Sequence, residues 1–185
     1  DLKGVAGRMG TAKSLADVGV LLGLMCKYMC EECEFILFAK NYTSVTLQPG
    51  TILDNMSRVQ EQVQKMDMGG CVFPDSYLVQ MVKDRKKVDQ VIVLSNETVA
   101  PGCQAECTRD IGPILQKYRQ DVNSDLLYVS VNLSGRGGIQ MRDESIANPN
   151  DICIAGFSDA ILRYIAERGD GNMLSYIQHI DEVKG

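Results

Sequence analysis

The sequence predicts an α/β fold, a doubly wound and mostly parallel sheet flanked by helices, and three observations carry that expectation. Strand-length and helix-length apolar segments alternate along most of the chain. One of them, Val91-Ile92-Val93-Leu94, is an apolar run without polar alternation, as a strand buried on both faces requires. It breaks at the polar turn Ser95-Asn96-Glu97-Thr98, and open parallel sheets bind ligands beyond their strands' carboxyl ends, so a site is expected near Ser95 to Glu97.

Between Thr11 and Cys33, apolar residues recur at Leu15, Val18, Leu22, Cys26, Met29, Cys30 and Cys33, the spacing of one helix face. Phe35 to Ala39 then reads as a buried strand, and Tyr42 to Leu47 as an edge strand beside it, closed by Pro49-Gly50. Ile52, Met56, Val59, Val63 and Met66 predict a helix that stops at Gly69-Gly70. Another starts near Pro74 and runs through Leu78 and Met81 to the basic turn Lys83 to Lys87, and the buried strand from Gln90 follows. A helix over 106–122 contains Pro113, which kinks it or restarts it at its first turn. Strands over 126–131 and 152–155 flank the turn Gly135 to Gly138, and two helical stretches with Ile161, Leu162, Ile165 and Met173, Leu174, Ile177, Ile180 end the chain.

At 185 residues the chain has the size of one domain, and its net charge of −5 argues against an electrostatic footprint for nucleic acid or anionic membrane. No apolar run reaches the roughly 20 residues of a membrane span, and no secretory signal opens the chain, so a cytoplasmic or nuclear setting with no membrane partner is expected. The seven cysteines sit in apolar or amphipathic segments, which predicts reduced thiols rather than a disulfide framework. Cys26, Cys30 and Cys33 are expected to pack in the core as one helical stripe, since structural zinc prefers knuckles on loops.

Asp1 to Gly10 has the character of a loop that leaves a strand and enters the first helix, yet no strand precedes it. In a doubly wound sheet that strand is central, so it is expected upstream of residue 1, with this chain the C-terminal part of a longer protein. Gly4, Gly7 and Gly10 could cradle a phosphate at the helix N-terminus, which leaves a Rossmann-like nucleotide-binding enzyme using Gly4 to Gly10 as an alternative function. Neither an acidic ribose partner nor a catalytic dyad accompanies those glycines. His179, the single histidine, has no nucleophile near it in sequence, and Cys71 no visible basic partner.

Several segments in order resemble a family. Asp1 begins a loop similar to a D-x-S-x-S motif, Gly69-Gly70-Cys71 resembles a G-G-T turn, Ser95-Asn96-Glu97-Thr98 a D-N-E-T segment, and Ala155-Gly156-Phe157 a C-G-F segment. The chain thus resembles a von Willebrand factor A domain, most closely the C-terminal one of Ro autoantigen (TROVE) proteins. The resemblance implies a metal-ion-dependent adhesion site at Asp1, Lys3, Val5, Cys71 and Ser95, with Gly69, Gly70, Asn96 and Glu97 on the ligand-face loops. Here the site is degenerate: Lys3 and Val5 stand for its serines, Cys71 for its threonine and Ser95 for its second aspartate. Mg²⁺ requires about six oxygen ligands, so no bound metal and no cofactor are expected. Lys3 either pairs with Asp1 in place of a cation or points to solvent. The family relation implies a non-catalytic architectural domain of a Ro-like ribonucleoprotein, working through protein–protein contacts. Its partners are then another protein or an upstream RNA-binding helical-repeat domain, with small non-coding RNA held indirectly in particles of the Y-RNA, vault or telomerase-associated kind.

Overall fold

A computed structural model describes residues 15–39, 41–66, 74–95, 111–134 and 148–156. The element order is α1 (Leu15–Met29), β1 (Phe35–Phe38), β2 (Tyr42–Val45), α2 (Ile52–Lys65), α3 (Asp75–Lys83), β3 (Gln90–Ser95), α4 (Gly112–Asp121), β4 (Leu127–Asn132) and β5 (Asp151–Ala155). The strands form two hydrogen-bonded groups: the antiparallel pair β1-β2, and a parallel sheet in the order β3-β4-β5. Helices flank the parallel sheet, so the α/β class expected from the sequence holds. The last two predicted helices and the Gly135 to Gly138 turn lie outside the described residues.

Alternation divides the parallel sheet into two faces. Ile92 and Leu94 of β3, Val129 and Val131 of β4, and Ile152 and Ile154 of β5 pack with Leu15, Val18 and Leu22 of α1. On the opposite face, Val91, Val93 and Tyr128 meet Leu78 and Met81 of α3 and Leu115 and Tyr118 of α4. The third apolar cluster joins α1 and α2 to β1 and β2 through Leu24, Val59, Phe35 and Val45.

Local chemistry sets the helix ends. α2 opens with a capping box, in which the Asp54 N–H donates to the Thr51 hydroxyl and the Thr51 N–H to the Asp54 carboxylate. Pro113 stands in the first turn of α4, where its missing N–H costs no helical bond, so the proline begins a helix instead of kinking one. α3 ends in a Schellman arrangement: the Lys86 N–H donates to the Met81 C=O, the Arg85 N–H to the Val82 C=O, and Arg85 takes φ +50°.

One expectation fails at α1. The helix stops at Met29, and of the three spaced cysteines only Cys26 is buried; Cys30 is partly buried and Cys33 exposed. The apolar spacing continues past Met29, but Glu31 and Glu32 would set two carboxylates at the helix's negative end, where cations are favoured. β2 likewise ends at Val45, two residues short of the predicted Leu47.

Candidate functional site

The carboxyl edge of β3-β4-β5 is the crevice position that the fold offers for binding. Register places Ser95 beside Asn132, and Asn132 beside Ala155, so these three end residues share one rank and one face of the sheet. The face is the one that α3 and α4 cover further down.

Backbone hydrogen bonds fix this rank. The Leu133 N–H donates to the Ser95 C=O at 2.7 Å, and the Gly156 N–H to the Asn132 C=O at 2.8 Å. Gly156 adopts φ +83°, a conformation that favours glycine, and a Cβ there would meet nothing within 4 Å.

The polar groups here are neutral and differ in what they have available. Asn132 is 4% exposed, and its Oδ1 already accepts from the Ser134 N–H at 3.0 Å and the Ser134 hydroxyl at 2.7 Å. Ser95 is 7% exposed, and its Oγ has no hydrogen-bond partner among the described residues. A buried hydroxyl without a partner is costly, by about 1–3 kcal/mol, so Ser95 Oγ is available to a water or a ligand group at this edge.

At the opposite, amino-terminal end of β4 and β5 a buried ion pair fixes the sheet. Arg119 of α4 donates through Nη2 and Nη1 to the Asp151 carboxylate at 2.6 and 3.2 Å, and through Nη2 and Nε to the Leu126 C=O at 2.9 and 3.2 Å. The two side chains are 8% and 4% exposed. This fork ties α4, the residue before β4, and the start of β5 into one unit.

Of the residues singled out from the sequence, the structure places Ser95 at the edge, with Ala155 of the C-G-F-like segment in the same rank and Gly156 one residue beyond it. Asp1, Lys3, Val5, the Gly4 to Gly10 loop, Gly69, Gly70, Cys71, Asn96 and Glu97 lie outside the described residues, as does His179. Sequence reasoning missed Asn132. Its signal was Asn132-Leu133-Ser134 at the end of an apolar strand, the pattern of an Asx turn. Among the described residues no cluster of three or more His, Cys, Asp or Glu is arranged to hold a metal ion, and no helix is long and apolar enough to cross a membrane.

Fold and site together define a doubly wound α/β domain whose carboxyl edge, among the described residues, carries neutral polar groups. The chain belongs to the family described as a domain of unknown function (DUF5920), which matches residues 9–184. It is similar to telomerase protein component 1 of Rattus norvegicus, 29% identical over 136 residues that cover 71% of this chain and 5% of that protein. The Mus musculus protein of the same name matches with the same identity and coverage. Among solved structures it is similar to the RO (RSR) protein of Deinococcus radiodurans, with a TM-score of 0.64 and 15% identity over 90% of this chain and 32% of that one. That likeness is one of fold. The chain spans about a twentieth of the telomerase protein component 1 length, by the 5% coverage.

Proposed function

We propose that the domain is a non-catalytic binding and architectural module of a ribonucleoprotein, and that it engages protein partners at the carboxyl edge of β3-β4-β5 without a metal ion. The observation that carries this reading is the likeness to telomerase protein component 1 across 71% of the chain. The chemistry of the edge supports it. Ser95 and Asn132 are neutral, and Asn132 already uses its oxygen within its own turn. Lys3, Val5 and Cys71, standing at the family's oxygen-ligand positions in the resemblance to A domains, provide an ammonium, a methyl pair and a soft thiol. That donor set does not fit Mg²⁺, which takes oxygen ligands in an octahedron. With a net charge of −5, the domain would associate with RNA through the rest of the particle and not through its own surface.

The test is velocity sedimentation of an extract containing the epitope-tagged protein, with ribonuclease and with EDTA as separate treatments. The expected result is sedimentation with a large particle, released by ribonuclease and unaffected by EDTA. Migration as a free protein before any treatment, or release by EDTA alone, would overturn the proposal.

A further inference from the structure

Cys30-Glu31-Glu32-Cys33 spaces two thiols by two residues just past the end of α1. An unbroken helix would hold residues three apart with their Cβ atoms about 5–6 Å from each other. A disulfide needs about 3.5–4.5 Å, so a continued helix would keep the two thiols from joining. The helix instead stops at Met29 and the chain bends through Cys30, Glu31 and Glu32, which removes that constraint.

The two sulfurs are placed unequally. Cys33 is exposed, and its thiol donates to the Glu34 C=O at 3.6 Å. Cys30 is partly buried, and its sulfur accepts from Gln90 Nε2 at 3.7 Å. Gln90 opens β3, and its Oε1 is buried without a partner among the described residues. The amide thus offers its N–H to the sulfur while its own oxygen gains nothing there, and such a donor is worth most to a sulfur that carries negative charge, as an attacking thiolate does. Partial burial and the neighbouring Cys30 raise the Cys33 thiol above its ordinary value, with Lys27 acting in the opposite sense. Thiols of raised pKa leave slowly, so a disulfide closed on Cys33 resists reduction.

We propose that Cys30 and Cys33 form a thiol–disulfide exchange site for a small disulfide of the glutathione class, with the exposed Cys33 attacking and Cys30 resolving. The Cys33 thiolate, its proton given to solvent, attacks one sulfur of the small disulfide; that S–S bond breaks, and one small thiolate leaves and takes up a proton. The Cys30 thiolate, formed in the same way, then attacks Cys33 Sγ and expels the second small thiolate. Two protein thiols are oxidised to one disulfide, and the small disulfide is reduced to two thiols. Gln90 is a positioning residue for Cys30. The site lies at the amino end of β3, whereas Ser95 closes the other end, so it stands independently of the edge proposed for partners.

The test incubates the 185-residue chain with oxidised glutathione, then quenches with acid, alkylates under denaturing conditions and digests with trypsin. Cleavage after Lys27 puts Cys30 and Cys33 on one peptide, Tyr28 to Lys40, and Cys26 on another. Mass spectrometry is expected to find the first peptide unalkylated and lighter by two hydrogens, and Cys26 alkylated. Cys30→Ser arrests the reaction with glutathione held on Cys33, and Cys33→Ser takes up glutathione at Cys30 at least about tenfold more slowly. Gln90→Leu slows closure about fivefold and leaves the attack by Cys33 unchanged. Full alkylation of the Tyr28 to Lys40 peptide overturns the proposal, as does glutathione retained on Cys33 of the parent chain or a bond from Cys30 or Cys33 to any other cysteine. Equal uptake by the two serine variants overturns the roles assigned to the two thiols.

Discussion

Removing Arg119 perturbs the domain most sharply, because its guanidinium satisfies two buried acceptors at once. Arg119→Met leaves the Asp151 carboxylate, 4% exposed, without either donor nitrogen, and strips the Leu126 carbonyl of the same side chain's bonds. Breaking one side of a buried pair costs about 3–5 kcal/mol. Set against the 5–15 kcal/mol of net stability that domains have, a loss of about 4 kcal/mol removes about a quarter or more of it. With a urea slope of about 2 kcal/mol per molar, the unfolding midpoint falls by about 2 M. The double variant Arg119→Met, Asp151→Leu recovers part of that loss, since an apolar pair replaces two buried charges while the Leu126 carbonyl stays without the Arg119 donors. Equilibrium urea unfolding followed by far-ultraviolet circular dichroism measures all three proteins. A single variant within about 1 kcal/mol of the parent would refute the reasoning, because it would show the pair to be solvated.

Ser95→Ala is expected to raise stability by about 1 kcal/mol in the same assay, since it removes a buried hydroxyl that has no partner; a loss of stability would show that Oγ is bonded after all. Burial pushes the Cys26 thiol up to about 11, with the neighbouring Cys30 and Cys33 adding to the rise. At about pH 8, iodoacetamide should therefore modify the exposed Cys33 long before Cys26 in the folded protein, and equal rates by mass spectrometry would contradict the α1 geometry. The Thr51 hydroxyl and N–H hold the Asp54 carboxyl below its ordinary range. Its contribution is thus fully present above the unfolded carboxylate pKa of about 3.9 and lost as pH falls through the lower folded value. Thr51→Ala should accordingly lower the thermal midpoint near neutrality by more than it does under strongly acidic conditions, and a pH-independent difference would count against the capping box.

Patterning made the frame legible where one force dominated. Val91 to Leu94 reads as a doubly covered strand because both faces need apolar side chains, and it lies between α1 on one face and α3 with α4 on the other. The end of α1 was misread because periodicity registers apolar spacing while the helix ends on the electrostatics of Glu31 and Glu32. Arg119 and Asp151 lie 32 residues apart, and nothing local to either announces the pair, which exists only once α4 docks against the sheet. At the site, Ser95 was legible as the polar break after a buried run. Asn132 was not, since an asparagine at a strand end reads first as a turn residue, and its place beside Ser95 follows only from the parallel register.

The most direct measurement on the central claim is calorimetric titration of the protein with Mg²⁺ and with Mn²⁺. A carboxyl edge built on Ser95 and Asn132, with Lys3, Val5 and Cys71 at the positions that resemble an adhesion site, predicts no saturable heat for either ion. A single saturable site with a micromolar dissociation constant, weakened by Ser95→Ala, would contradict it.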